Sequence, residues 1–374
     1  MSRRGTATLP LHSGRAPPWL FDRMVDLSGA IARVIVDSYG PIELVRRLAD
    51  PYWFQAFGCV LGFDWHSSGV TTTTMGALKV ALDPNEHGLL VAGGKGATSR
   101  QTPTELRESP FDLASSEREA LVRSSRLSAS VDNACVQDAY ELYHHTMLVT
   151  EDGHWGVVQQ GMDGETARRY HWADEAVDSF VDEPQTAICA EHRRDEVLDL
   201  TARSSAEVRD IAVDLANEPP ERLARLAQPT GQTTFTAFGG SDPLGEHAGV
   251  HYHLPDRHDL RLEDLSTRAI DQLEHAYERQ VDNFESLVET EGIGRGSLRA
   301  LALIAELVDD AEVAREDPAK FSYAHGGKDG IPYPVDRGRY DRSIDFLSEM
   351  VEGAELDRET RQIALDRLRE GQPS

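Results

Sequence analysis

Four polar groups in the first half of the chain have the residue types that activate water or hold phosphate. "GFDWHSSG" places Asp64 and His66 two residues apart, which puts both on one face of a strand. "GGKGATSR" sets Lys95, Ser99 and Arg100 among glycines after an apolar run, where a lysine can meet a phosphate, though the spacing is not that of a P-loop. "QDAYELYHH" read as a helix puts Asp138, Glu141 and His145 on one face. "QQGMDGETARRYHW" follows Gln159 and Gln160 with Arg168, Arg169, Tyr170, His171 and Trp172. Together these groups suggest hydrolysis of a phosphodiester. Asp64, Asp138, Glu141 and His145 would bind a divalent metal, Mg or Mn. Asp64, His66, Asp138 and Lys95 are the candidate catalytic residues. Arg168 and Arg169 would fork onto phosphate, and Tyr170 and Trp172 would stack on a base. Each group also has a plainer role. Asp64 suits a turn, His144-His145 a surface pair, and the two arginines can simply pair with carboxylates.

A fifth group lies near the other end. "NFESLVETEGIGRGSLRALALIAELV" interrupts a helical pattern with Gly292, Gly294 and Gly296. Two helices joined by "EGIG" resemble a helix-hairpin-helix, in which glycines permit positive φ and the amides opening the second helix face an anion. Gly292, Gly294, Arg295 and Ser297 are the expected phosphate contacts. The alternative is a tight turn with no ligand. Downstream, "GGKDGIPYPVDR" has the look of the loop of helix-hairpin-helix DNA glycosylases, with Asp336 in the acidic position. Gly296 stands where bifunctional members carry lysine.

These elements need a scaffold. Pro17 and Pro18 open a helix over 17–38, and Pro41 opens another. "HGLLVAGGKG" reads as a short buried strand. Asp152-Gly153 marks a hairpin between "TMLVTE" and "HWGVVQQGM". "SVDNACVQDAYELYHH" and "ETARRYHWADEAVDSFV" read as helices, as does nearly everything after residue 192. The expected fold class is α+β, mainly helical. It has a mixed α/β domain expected to be catalytic over 1–228, a Gly/His-rich linker over 229–258, and an all-α helix-hairpin-helix domain over 259–374.

Composition narrows the classes. The net charge is -26, and only Lys79, Lys95, Lys320 and Lys328 are lysines against 34 arginines. Such a surface suits a protein dissolved in concentrated salt, where self-repulsion is screened. Cys59, Cys135 and Cys189 form no CxxC pair, which fits a reducing interior and excludes a disulfide framework. No run is apolar enough for a membrane span or signal segment, so the expected location is cytoplasmic and no membrane partner is expected.

Over nearly its whole length the chain is similar to a family of archaeal and bacterial proteins, domain-of-unknown-function family 763. The strings "DPYWFQAFGCVLGFDWHSSG", "GGKGATSRQTP", "WGVVQQGM", "ARRYHW", "GIGRGSLRALALIAELV" and "FSYAHGGKDGIPYPVDR" carry the likeness. It implies a cytosolic prokaryotic protein whose polar N-terminal part and hairpin belong together, and it transfers no catalytic residue. The leading expectation is a DNA-binding protein of repair or processing, a metal-dependent nuclease gripping the backbone through the hairpin. The alternatives are a glycosylase-like protein using Asp336 and a non-enzymatic nucleic-acid scaffold.

Overall fold

The computed structural model describes residues 18–62, 69–164, 166–190, 193–220, 222–223, 267–309, 311–320 and 337–370. They form two compact units, one of residues 1–197 with 315–374 and the other of residues 198–314. This differs from the sequential domains expected. The last two helices supply Ile344, Leu347, Met350, Val351, Ala364 and Leu368 to the core of the first unit, where apolar burial holds them. The expected linker lies outside the described residues.

The first unit opens with four helices. Helix α1 (Pro18–Tyr39) stops at Gly40, whose φ of 85° turns the chain into α2 (Pro41–Ala49). Asp50 caps α3 (Pro51–Leu61) by accepting from the amides of Tyr52 and Trp53. Helix α4 (Val70–Ala81) follows. A five-stranded antiparallel sheet comes next, its strands lying side by side in chain order: β1 (Leu89–Lys95), β2 (Glu141–Thr150), β3 (Trp155–Asp163), β4 (Thr166–Ala173) and β5 (Ala187–Ala190). Between β1 and β2 run α5 (Thr102–Arg107) and α6 (Ser115–Ser130), which widens into a π-turn over Val131–Cys135. The mainly helical α+β class is as expected, and so are the strand before Lys95 and the hairpin at Gly153, where φ is 83°.

Two expectations fail here. Residues 141–145 and 166–173 belong to strands rather than helices. Both are buried along most of their length, so polar-apolar alternation, the usual sign of a strand, is missing from them. In the register of the sheet, Lys95, His144, Gln160, Arg169 and Cys189 form one cross-strand row. The next row is Gly94, His145, Gln159, Tyr170 and Ile188, and it projects to the opposite face. A register shift between Leu142 and His144 leaves Tyr143 as the extra residue of a bulge.

The second unit contains α7 (Ala206–Ala216), α8 (Thr267–Arg279), α9 (Phe284–Val288) and α10 (Arg295–Asp309). Val208, Ala212, Leu273, Ala276, Leu287, Leu298, Leu301 and Ala305 are buried in it. Helices α11 (Arg337–Gly353) and α12 (Arg358–Glu370) close the first unit. No helix among the described residues is long and apolar enough to cross a membrane.

Candidate functional site

The sheet carries polar side chains on both faces, and nearly all are buried. Burying such groups is costly unless each finds a partner, so their partners show what the arrangement is for.

On the face covered by α2 and α3, His171 Nδ1 lies 2.9 Å from the carbonyl of Leu48. A carbonyl only accepts, so Nδ1 holds the proton and Nε2 takes the hydrogen bond from Arg169 Nε at 2.7 Å. Arg169 also donates to Gln55 and stacks over Phe54. Burial, with Arg169 alongside, pushes His171 well below the usual imidazole range. On the other face Arg168 is fully buried, with Nη1 2.9 Å from Asp138 and Nη2 2.5 Å from Asp317. Tyr170 donates its hydroxyl to Asp138 at 2.8 Å, and Trp172 donates to Asp132. Burial alone would lower the Arg168 pKa, but Asp138, Tyr170 and Asp317 hold it above the ordinary value.

These partners correct the expected substrate contacts. Arg168, Arg169, Tyr170 and Trp172 are all internal, so none is open to phosphate or a base. They also separate the expected metal ligands. Asp138 is committed to Arg168, Tyr170 and the amide of Tyr140, and both ring nitrogens of His145 are engaged. Glu141 is exposed at the start of β2. Because 141–145 is a bulged strand, the helical spacing that joined these residues does not exist. Among the described residues no three His, Cys, Asp or Glu side chains are placed to share an ion. Asp64, His66 and Asp336 lie outside the described residues.

A relay absent from the sequence reading runs through the sheet. Gln159 donates both amide hydrogens, to the carbonyl of Ser128 at 3.0 Å and to Asp132 at 2.5 Å. Its oxygen therefore faces His145 Nδ1, 2.7 Å away, and requires a proton there. The lone pair of His145 Nε2 is left pointing at the hydroxyl of Ser125, at 2.8 Å. Asp132 is anchored further by Trp172 Nε1 and Gln185 Nε2. Desolvation raises the Asp132 carboxyl to about 7 despite these donors, and burial lowers His145, keeping it a neutral base. Ser125 stands on a polar-looking helix and Asp132 in the π-turn that ends it, with no motif around either, so no local signal marked them. Ser125 and His145 are twenty residues apart, and the sheet brings them together.

This pair lines a cavity of about 190 Å³ beside β2, past the last residue of β1. Arg100 and Arg126 stand in its wall with Tyr143 and His144, and no carboxylate is among the lining residues. Lys95 lies over the Tyr143 ring, whose hydroxyl accepts from Gln160 at 2.6 Å. Lys95 thus sits near the site, at the exposed end of β1. A larger hollow of about 600 Å³ along α1 is lined by Asp26, Arg33 and Asp37. All three are exposed, and none of the expected site residues reaches it.

His144 is only 1% exposed, and its Nδ1 has no hydrogen-bond partner. Thr146 has already given its hydroxyl hydrogen to Val158, so it can only accept from His144 Nε2, 3.4 Å away. The unmatched Nδ1 is then a lone pair awaiting a donor. Burial first, then His145 and Lys95, lowers His144 to about 3. A histidine depressed below its unfolded value of about 6.5 lends its full stability above that pH and loses it as pH falls toward 3. At pH 4.5 the loss is about 3 kcal/mol from this residue. His145 and His171 act in the same direction, while Asp132, being raised, acts in the opposite one between about 4 and 7. The expected result is therefore a difference. Denaturation of the wild type and of His144→Asn between pH 7 and 4.5 should show the wild type losing about 3 kcal/mol more. Parallel curves would mean that His144 is not held neutral.

In the second unit the α9–α10 turn is compact. Ile293 N donates to Thr290 O and Leu298 N to Gly294 O. Gly292 adopts φ 92°, and a Cβ there would meet Gln272 Cγ at 3.0 Å. Gly294 is not in the left-handed region, so of the two only Gly292 needs glycine for its backbone. Ser297 is buried and donates its hydroxyl to Gln272, which removes it from the expected phosphate contacts.

The architecture is thus a mainly helical α+β protein built around a polar antiparallel sheet. The chain belongs to the family described as "Protein of unknown function (DUF763)", which it matches over residues 5–335. No curated protein and no solved structure matches it significantly.

Proposed function

We propose that the protein acts on nucleic acid, with a backbone phosphate seated in the cavity beside β2. One observation carries this reading. In a chain of net charge -26, the wall of a small cavity holds Arg100 and Arg126 and no carboxylate. Guanidinium groups match the paired oxygens of a phosphate, and close contacts of this kind persist in salt that screens long-range attraction. Arg100 makes no ion pair among the described residues. Arg126 acts on Glu119, whose carboxyl is held below the usual range by Arg107 first and then by Arg126. The turn at Gly292 supports the same reading from the second unit, since the amides opening the fifteen-residue α10 are of the kind that hold a strand by its backbone without reading sequence. The metal set proposed from sequence adds nothing to it, because a metal at Asp138 would have to displace Arg168.

The test is anisotropy of short labelled single-strand and duplex DNA in multimolar KCl. The Arg100→Ala/Arg126→Ala double variant should bind at least about ten-fold more weakly, the loss of one charge-assisted contact. Equal binding by wild type and variant removes the cavity from the reading. Failure of the wild type to bind either DNA removes the reading itself.

A further inference from the structure

We propose that Ser125 is a nucleophile, with His145 as its base, and that the cavity beside β2 transfers the phosphoryl group of an anionic phosphate ester. The substrate class rests on the reading above that this cavity takes a phosphate, whereas the nucleophile rests on separate geometry.

Three features of the pair argue for chemistry over packing. A serine inside a helix ordinarily returns its hydroxyl to a carbonyl one turn back. Ser125 instead gives its hydrogen to His145 Nε2 at 2.8 Å. The hydrogen bonds of Gln159 then fix the imidazole in the one tautomer that can accept that proton. The order hydroxyl, imidazole, carbonyl-type acceptor and carboxylate is that of an activated serine, with a glutamine amide between the ring and the acid. Finally, Ser125 and His145 both line the cavity that holds Arg100 and Arg126. A relay serving only to fill the core would gain nothing by ending at a cavity, and an apolar filling would avoid the cost of desolvating it. Gln159 and Asp132 act through His145 and are positioning residues.

The reaction balances with water as the second substrate. Ser125 Oγ bonds to phosphorus as its proton passes to His145 Nε2. The bond from phosphorus to the leaving oxygen breaks, and that oxygen departs as an alcohol carrying the proton from Nε2. Arg100 and Arg126 are placed to take the charge on the non-bridging oxygens. Water then attacks the phosphoserine ester, gives one proton through Nε2 to Oγ, and releases a phosphomonoester with Ser125 restored. For a phosphodiester the sum is one diester and one water converted to a monoester and an alcohol.

The test uses the full chain and diisopropyl fluorophosphate, a neutral probe that phosphorylates an activated serine with loss of fluoride. Peptide mass spectrometry should find the label on Ser125. Labelling should fall at least about a hundred-fold in His145→Gln, as expected when a general base is lost. Hydrolysis of bis(p-nitrophenyl) phosphate in chelator should disappear in Ser125→Ala, whose folding is checked by its melting curve. If His145→Gln does not fold, Ser125→Cys replaces it. Its new thiol should react with iodoacetamide faster than the buried Cys59, Cys135 and Cys189. No label on Ser125, a label indifferent to His145→Gln, or a thiol no faster than the native three overturns the nucleophile. A labelled Ser125 in a protein that binds no DNA and cleaves no phosphodiester keeps the nucleophile and overturns the phosphate substrate.

Discussion

Replacing Arg168 with methionine is expected to destabilise the first unit by about 3–5 kcal/mol, the usual cost of stripping one partner from a buried ion pair. The guanidinium is 0% exposed and lies between Asp138 and Asp317, which are buried too. Asp138 also takes Tyr170, and Asp317 takes the amides of Arg194 and Ala319. Removing the cation therefore leaves two carboxylates without a counter-charge and loosens the segment around 317–319 where it returns to the sheet. Arg168→Lys should recover only part of the loss, because a single ammonium cannot span both carboxylates as the fork does. Denaturant midpoints for both variants, with Asp138→Asn and Arg168→Met/Asp138→Asn completing a cycle with the wild type, provide the check. The cycle should show strong coupling, since the second change removes one of the stranded charges. A loss below about 1 kcal/mol would mean that the carboxylates protonate at little cost.

The second large effect concerns β1. Gly93 has φ 87°, and a Cβ there would lie 2.3 Å from the carbonyl oxygen of His145 and 2.4 Å from Thr102 Oγ1. One of those neighbours is backbone, so rotation of a side chain cannot relieve the clash. Gly93→Ala should cost about 4 kcal/mol, combining an unfavourable φ with overpacking. The same residue is clamped on both sides, its amide by Glu105 at 2.7 Å and its carbonyl by Lys79 at 2.7 Å. Displacing it shifts β1 against β2 at His145, so the relay to Ser125 should be disturbed as well. The measurement is the melting temperature together with fluorophosphate labelling at Ser125. A variant that melts with the wild type would show that the strand gives way without cost.

Lys79, one of only four lysines, belongs to this clamp through Glu105 and not to any phosphate. Lys95, also singled out for its glycine neighbours, does stand beside the cavity. Glycine context marked Lys95 and not Lys79, and of the two only Lys79 has a carboxylate of α5 within reach.

Helix-opening prolines, the Asp152-Gly153 turn, the glycine break before α10 and the α+β class all follow from local rules, and they were legible because backbone preference acts over a few residues. The acidic, arginine-rich composition and the family likeness were legible for the same reason, being properties of the string itself. What the string could not supply was the partner of each polar residue. Two strands buried on both faces lacked the alternation that distinguishes strand from helix, and that error joined Asp138, Glu141 and His145 in a set that the sheet pulls apart. The arginines of "ARRYHW" could have met phosphate or carboxylate, and only the register of β4 sends Arg168 to Asp138 and Asp317 and Arg169 to Gln55 and His171. Ser125, His145, Gln159 and Asp132 come from a helix, two strands and a π-turn. Local sequence determined which residues could form elements and carry charge. Tertiary pairing decided which were spent inside the core and which face a cavity, because a hydrogen bond depends on angstroms of separation in space and not on distance along the chain.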